Sequence, residues 1–275
     1  TNSTNWRRLA CRTDVLAGTL DRTHHPNRVH AMSTPQALCL ALWQCAYDAD
    51  VAGSLARLDH TAARARTLGA DLLVCPEMSL TGYAIGAEAV QALAEPADGP
   101  LALAVGEVAR RHGLAIVYGY PQRHPEGQRP FNAVQLIDDQ GQGLIRYAKT
   151  HLFGDVDRAQ FSPGPGLSGV IEWRGWRLGL LICYDVEFPE AVRVLGLQGA
   201  DLVLVPTANM RDFDAVPHLL VPARAYENRL WVAYANACGH DAVFDYGGLS
   251  TVADPMGSIL AQASRDEDLL TVTLH

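Results

Sequence analysis

The sequence lacks the features of a disulfide-stabilised, zinc-binding or membrane-spanning protein. Its six cysteines include no Cys-x-x-Cys pair, the short spacing that zinc sites use. No apolar run approaches the roughly 18 residues that a bilayer-spanning helix needs. Basic residues are also few, with 22 Lys and Arg against 30 Asp and Glu and a net charge of -8. We therefore expect neither nucleic acid nor a membrane as a partner, and the cysteine usage predicts a reducing, cytoplasmic location.

Cofactor and metal motifs are missing as well. The chain contains no His-Glu-x-x-His segment, no phosphate-binding loop and no dinucleotide fingerprint in its required context, a Gly-x-Gly-x-x-Gly turn between a strand and a helix. A serine nucleophile in a Gly-x-Ser-x-Gly turn is also missing. We therefore expect no cofactor and no metal, and chemistry performed by side chains on a small molecule.

The first 31 residues differ in composition from the rest of the chain. They are rich in Thr, Arg, Asn and His, and they lack both apolar periodicity and the apolar stretch of a secretory signal. We predict that residues 1–31 are a disordered or artefactual leader and that residues 32–275 form one domain.

Residues 32–275 alternate between apolar runs and helical patterns, which predicts an α/β fold with helices covering the sheets. Residues 37–43 form a continuous apolar run typical of a buried strand, and residues 51–68 repeat apolar side chains at helical spacing. Two further apolar runs flank the turn-forming stretch 138–143, which indicates a β-hairpin over 131–148.

Three polar residues follow apolar strands directly, and ligands tend to bind at such strand ends in layered α/β folds. Glu77 follows a strand and a proline, Lys149 ends the hairpin, and Cys183 lies at a sharp turn between a strand and a helix. Taken singly, each has an ordinary alternative: a salt-bridged carboxylate, an exposed lysine and a buried thiol. Together they supply a proton shuttle, an oxyanion stabiliser and a nucleophile. His151 is a second possible base, although its position beside Lys149 favours a structural hydrogen bond.

The order and context of these three segments resemble the nitrilase superfamily of carbon–nitrogen hydrolases, over roughly residues 38–274. The resemblance implies an α-β-β-α sandwich of four layers and a Glu-Lys-Cys triad formed by Glu77, Lys149 and Cys183. It also implies a homodimer or a larger homo-oligomer. Members commonly carry a second glutamate after the lysine, and Asp157 stands at the matching position, one methylene shorter.

Within the superfamily, residues 75–86, 116–123, 183–190 and 204–210 resemble 5-aminopentanamidases and stereoselective amidases. The resemblance implies hydrolysis of a small aliphatic amide by water, with an omega-amino amide such as 5-aminopentanamide as one substrate. Alternatives on the same fold are an N-carbamoyl amine hydrolase, a stereoselective amino-acid amidase and a nitrilase. An acyltransferase or a non-catalytic scaffold would fit the pattern less well.

Substrate-binding residues are assigned less directly. Tyr83 is expected to line the pocket, the backbone N–H of Tyr184 to bind the oxyanion, and Asn209 to contact substrate or hold the following turn. A substrate amine would need a carboxylate, for which the sequence offers Asp157, Glu187, Asp212, Asp214 and Asp241. Glu187 is the most interesting because it lies just after Cys183, although a surface carboxylate near a helix N-terminus is an equal alternative.

Overall fold

The computed structural model of the protein describes residues 37–48 and 50–275. The predicted leader, residues 1–31, lies outside these described residues. Two six-stranded sheets make up the centre of the described part. The first contains, in spatial order, β12 (Asp268–Leu274), β1 (Leu38–Gln44), β2 (Leu72–Val74), β3 (Ala115–Gln122), β4 (Phe131–Ile137) and β5 (Gly143–Ala148). The second contains β11 (Ile259–Gln262), β10 (Thr251–Ala253), β9 (Trp231–Asn236), β8 (Leu202–Thr207), β7 (Trp176–Leu180) and β6 (Val170–Trp173).

Each sheet has three parallel strands at its centre and antiparallel strands outside them. In the first sheet Leu40 pairs with Leu72, and in the second Leu178 pairs with Leu202. These four side chains belong to one buried cluster that contains residues from both sheets. The two sheets therefore pack face to face over a shared apolar core, as the predicted sandwich requires.

Helices cover the outer faces and complete the four layers. On the first sheet lie α1 (Val51–Thr67) and α3 (Pro100–His112), and on the second α5 (Pro189–Leu197) and α6 (Val221–Asn228). Local chemistry accounts for their ends. The Asp50 carboxylate accepts from the Gly53 N–H at the start of α1, and Gly113 adopts φ +59° at the end of α3. No helix of the described residues is long and apolar enough to cross a membrane.

The hairpin prediction is confirmed, because β4 and β5 pair antiparallel around a turn that Asp138 stabilises. The sequence pattern over 217–228 predicts one helix, but in the structure a π-helical turn over Val216–Leu220 precedes α6. Two short helices, α2 (Ala87–Leu93) and α4 (Gly154–Gln160), were not predicted, nor was β6. A seven-residue helix spans less than two turns, which is too short for a clear apolar period.

Candidate active site

Glu77 is held where the first sheet meets the second. Its strand, β2, ends at Val74, and the backbone N–H of Glu77 then donates to the Thr207 carbonyl at the end of β8 (3.3 Å). The hydroxyl of Tyr47 donates to the Glu77 carbonyl at 2.8 Å. The carboxylate is completely buried. A carboxylate from one sheet is therefore fixed beside strands of the other.

Lys149 follows β5 and points its ammonium at two carboxylates. Its Nζ lies 2.8 Å from Glu77 Oε1 and 2.8 Å from Asp157 Oδ2, and all three side chains are fully buried. Asp157 lies on α4, and its Oδ2 also accepts from the backbone N–H of Phe153 at 2.8 Å. The structure thus brings Asp157 to Lys149 as a lysine-pairing carboxylate.

Cys183 stands at the first residue of a 3-10 turn over Cys183–Glu187, just after β7. Its φ is +47°, a left-handed conformation that costs a non-glycine residue about 1–2 kcal/mol. The Leu181 N–H bonds the Leu204 carbonyl at 3.0 Å and so ties this turn to β8. The backbone N–H of Ala208 is close enough to donate to the thiol and favours its ionised form. This geometry is the sharp strand-end turn that the sequence predicts, although it continues as a 3-10 turn rather than directly as an α-helix.

One oxygen of the Glu77 carboxylate is hydrogen-bonded, and the other is available to take a proton. Oε1 accepts from Lys149 Nζ and from Asn132 Nδ2, the latter at 2.6 Å. Oε2 is buried and has no hydrogen-bond partner among the described residues. Burial raises the pKa of Glu77, Lys149 opposes that shift, and the negative charge of Asp157 supports it. A carboxyl group whose pKa is raised in this way is suited to taking and returning a proton.

The charges around the thiol couple it to Glu77. Burial and the neighbouring Glu77 charge raise the pKa of Cys183, while Lys149 lowers it. Burial disfavours the Lys149 ammonium, but Asp157 and Glu77 outweigh that effect and raise the pKa of Lys149. The negative charge of either Cys183 or Glu77 disfavours ionisation of the other. The pair therefore holds one proton between the two groups more readily than it loses both protons. The arrangement can generate a thiolate as its proton moves to Glu77, next to a permanent positive charge.

The other predicted residues lie in different parts of the site. Tyr83 is buried, and its ring centroid lies 5.7 Å from Lys149 Nζ. Tyr184 packs edge-on against Phe153, with ring centroids 5.4 Å apart. Glu187 is partly buried, and burial raises its pKa. The positive charges of Lys149 and Arg224 oppose that rise without cancelling it.

Asn209 is used structurally, since its Nδ2 donates to the Phe213 carbonyl at 3.2 Å. That bond holds the turn over Arg211–Phe213, which is the alternative role that the sequence left open. Three of the candidate acids are also engaged by the protein. Asp214 pairs with Arg265, Asp241 accepts from the Tyr246 hydroxyl, and Asp157 pairs with Lys149.

An open cavity of about 470 Å³ borders Phe153, whose ring packs against that of Tyr184. Its apolar lining includes Phe213 and Phe244, and its charged lining is Arg211, Asp212 and Asp245. Asp212 and Asp245 form no ion pair with any described residue. The cavity is therefore suited to a small molecule with an apolar body and a charged end. Residues 37–48 and 50–275 contain no group of three His, Cys, Asp or Glu side chains that could hold a metal ion.

Sequence analysis did not identify Asn132 or Asp185. Asn132 is a polar residue at the second position of the mostly apolar strand β4, whose other polar residue is Gln135, and this was a detectable signal. Asp185 lies two residues after the nucleophile, and nothing in its neighbours along the chain shows what it contacts.

Comparisons with known proteins show the family to which the chain is similar. The carbon–nitrogen hydrolase family model matches residues 39–275. The chain is 52% identical over 245 residues to the "hydrolase in pqqF 5'region" of Pseudomonas protegens, covering 89% of this chain and 85% of that protein. It is 40% identical over 199 residues to an (R)-stereoselective amidase of a Pseudomonas species, covering 72% and 70%.

Solved structures of a nitrilase-superfamily amidase from Nesterenkonia are also similar. One has 39% sequence identity and a TM-score of 0.77, and the match covers 86% of this chain and 90% of that one. Variants of that amidase were solved in complex with acrylamide and with butyramide. Another carries the acetamide moiety of fluoroacetamide covalently attached to its active-site cysteine.

Proposed function

Because the chain belongs to the carbon–nitrogen hydrolase family and is an amidase of the nitrilase superfamily, we propose that it hydrolyses a short aliphatic amide through a thioester on Cys183. The observation that carries this proposal is the buried cluster of Glu77, Lys149 and Asp157 next to a thiol on a strained turn. Burying one cation and two carboxylates away from water is costly, and perturbed charges of this kind concentrate at functional sites.

In the first half of the reaction the available oxygen of Glu77, Oε2, takes the thiol proton while the sulfur attacks the amide carbon. The negative charge moves to the amide oxygen, beside the Lys149 ammonium and the backbone N–H of Tyr184. Each such donor stabilises the transition state by about 3 kcal/mol. Glu77 then gives its proton to the departing nitrogen, so ammonia leaves and the acyl group remains on sulfur.

In the second half Glu77 removes a proton from water, and the resulting hydroxide attacks the thioester carbon. The carbon–sulfur bond breaks, and the proton on Glu77 returns to the thiolate. The carboxylic acid leaves and ionises in solution. The cycle therefore consumes one amide and one water and needs no other reagent.

The acyl group is proposed to be short and aliphatic, with room for a terminal ammonium. Short amides occupy the similar Nesterenkonia amidase, and the aromatic lining of the cavity here suits an aliphatic chain. Asp212 and Asp245 line the same cavity without a cationic partner, so an omega-amino amide such as 5-aminopentanamide has a place for its charge. Arg211 lines the cavity too and would oppose that binding.

Ammonia release from a matched pair of substrates tests both the thioester route and the proposed binding of a terminal ammonium. Pentanamide and 5-aminopentanamide differ only by the terminal ammonium, and Cys183→Ala serves as the inactive control. Turnover of either amide that persists in Cys183→Ala would rule out the thioester route. If Asp212 binds the ammonium, Asp212→Asn raises KM for 5-aminopentanamide by up to about fivefold, the value of an exposed ion pair. KM for pentanamide stays unchanged in that variant.

The alternative substrates are distinguished in the same assay. A chiral amino-acid amide, an N-carbamoyl amine and a nitrile are added to the panel. If one of these three compounds is turned over faster than pentanamide, the substrate class is that of the faster compound. Hydroxylamine added to the assay intercepts the thioester if the protein is an acyltransferase, and a hydroxamate would then exceed the free acid. No turnover together with an unreactive Cys183 would favour a scaffold.

We also propose that the chain forms a homodimer or larger homo-oligomer through a face made of the π-helical turn over Val216–Leu220, α6 and the β10–β11 hairpin. Five large apolar side chains are exposed there: Leu219, Tyr226, Met256, Ile259 and Leu260. Exposed apolar side chains grouped on one face commonly mark an interface. Light scattering tests this: Tyr226→Asp should lower the measured mass to that of one chain, whereas Leu103→Asp, at a more exposed site on α3, should not.

The proposed location is the cytoplasm, since all five cysteines in the described residues are free thiols. Recovery of the native protein with these thiols oxidised would contradict this location.

A further inference from the structure

The carboxylate of Asp185 is fully buried and accepts hydrogen bonds from four donors. Oδ2 accepts from the Tyr147 hydroxyl at 2.9 Å and from the Ile182 N–H at 3.1 Å. Oδ1 lies 2.9 Å from the backbone N of His151 and 2.7 Å from its Nδ1. Because a carboxylate only accepts, His151 Nδ1 must carry the proton in this contact.

All four donors flank a proposed catalytic residue. Ile182 precedes Cys183 directly, and Tyr147 and His151 lie two residues on either side of Lys149. Cys183 follows β7 of the second sheet, whereas Lys149 follows β5 of the first. One carboxylate therefore joins the nucleophile segment to the lysine segment across the sandwich.

Local structure alone does not require so many bonds. A carboxylate that closes a turn needs one or two backbone donors, as Asp138 has in the β4–β5 hairpin. Asp185 accepts one bond within its own turn and three from a segment more than thirty residues away along the chain. The turn also carries the strained φ of Cys183, which persists only where surrounding bonds hold it.

We propose that Asp185 is a positioning residue that sets the distance between the Cys183 thiol and the Lys149 ammonium. This inference rests on the proposed function, because it assumes that Cys183 and Lys149 act on the same amide. Asp185 itself does not touch substrate. Its carboxylate holds two segments in register so that the oxyanion forms next to the lysine.

The variant that tests the proposal is Asp185→Asn. The amide keeps the side-chain shape and one acceptor oxygen, but its NH2 group cannot accept from the Ile182 N–H. The nucleophile segment should shift, and a displacement of about 1 Å lowers kcat by about 10²-fold. KM should change little, because the substrate pocket keeps its lining.

A second readout does not need turnover. The alkylation rate of Cys183 by iodoacetamide, followed by mass spectrometry of its peptide, is measured against pH. Lys149 lowers the pKa of Cys183, so moving the two apart should shift the alkylation profile to higher pH. If the native protein cleaves none of the amides, the proposed function fails, whereas the alkylation profile still tests the positioning.

Asp138→Asn is the matched control, since it alters a carboxylate with two backbone donors far from the site, and it should leave kcat and the alkylation profile unchanged. If Asp185→Asn fails to fold, Tyr147→Phe replaces it, removing one donor to Asp185 and lowering kcat by about tenfold. The proposal is overturned if folded Asp185→Asn, or Tyr147→Phe in its place, keeps the native kcat and alkylation profile and loses only thermal stability.

Discussion

Removing the charge of Asp157 should make Glu77 a weaker base. Both carboxylates lie 2.8 Å from Lys149 Nζ, so their accepting oxygens lie within twice that distance of each other. Two unit charges about 5 Å apart interact by about 3 kcal/mol at an effective dielectric constant of about 20. The Asp157 charge therefore acts to raise the pKa of Glu77. Without it, Lys149 pairs with Glu77 alone and lowers that pKa.

Asp157→Asn isolates this effect, because the amide oxygen can still accept from Lys149 and from the Phe153 N–H. The acidic limb of kcat/KM against pH reports the base of the free enzyme. We expect it to move to lower pH by about one to two units, and the plateau to fall by about tenfold because the base is weaker. Ammonia release from a saturating and a limiting amide concentration, measured from pH 4 to 9, gives both values.

Asp157→Glu is the matched control, since it retains the charge and lengthens the side chain by one methylene. Its acidic limb should stay close to that of the native protein, even if the rate changes. A limb that does not move in Asp157→Asn, or that moves to higher pH, would refute the electrostatic account of Glu77. Thermal unfolding of each variant at pH 7 shows whether the loss of activity comes from unfolding instead.

Three further variants test other parts of the site. Asn132→Ala removes a donor that lowers the pKa of Glu77, so its acidic limb should move to higher pH by about one unit, opposite to Asp157→Asn. Gly119→Ala should lower both activity and melting temperature, because the new Cβ would collide with the backbone of Met78, which follows Glu77. Gly166→Ala is the control and should change neither, because no atom lies within 4 Å of a Cβ at that position. Arg224→Met leaves the Val186 and Glu187 carbonyls without their donor, so the free energy of unfolding in urea should fall by about 2–4 kcal/mol. Glu227→Gln, which alters only the ion pair of Arg224, should change it by under about 1 kcal/mol.

Much of the fold was predictable from local pattern. In the sequence, Pro100 and Gly113 bound a stretch that they predict to be a helix over 100–112, and the structure gives those same bounds. Apolar runs located the parallel strands because a strand buried on both faces must be apolar throughout. Short elements such as α2 and α4 were missed, since they contain too few residues to show a period.

The sequence by itself determined which residue types stand at the ends of strands, and so it predicted Glu77, Lys149 and Cys183 as a set. Only the tertiary structure decided how these residues are held. The Lys149–Glu77 contact joins residues 72 positions apart, Asn132 reaches Glu77 across 55, and Tyr147 reaches Asp185 across 38. The periodic pattern of apolar residues around a position in the sequence predicts only the helix or strand to which that position belongs. Its partners are decided when the two sheets pack together and bring distant strand ends to the same edge.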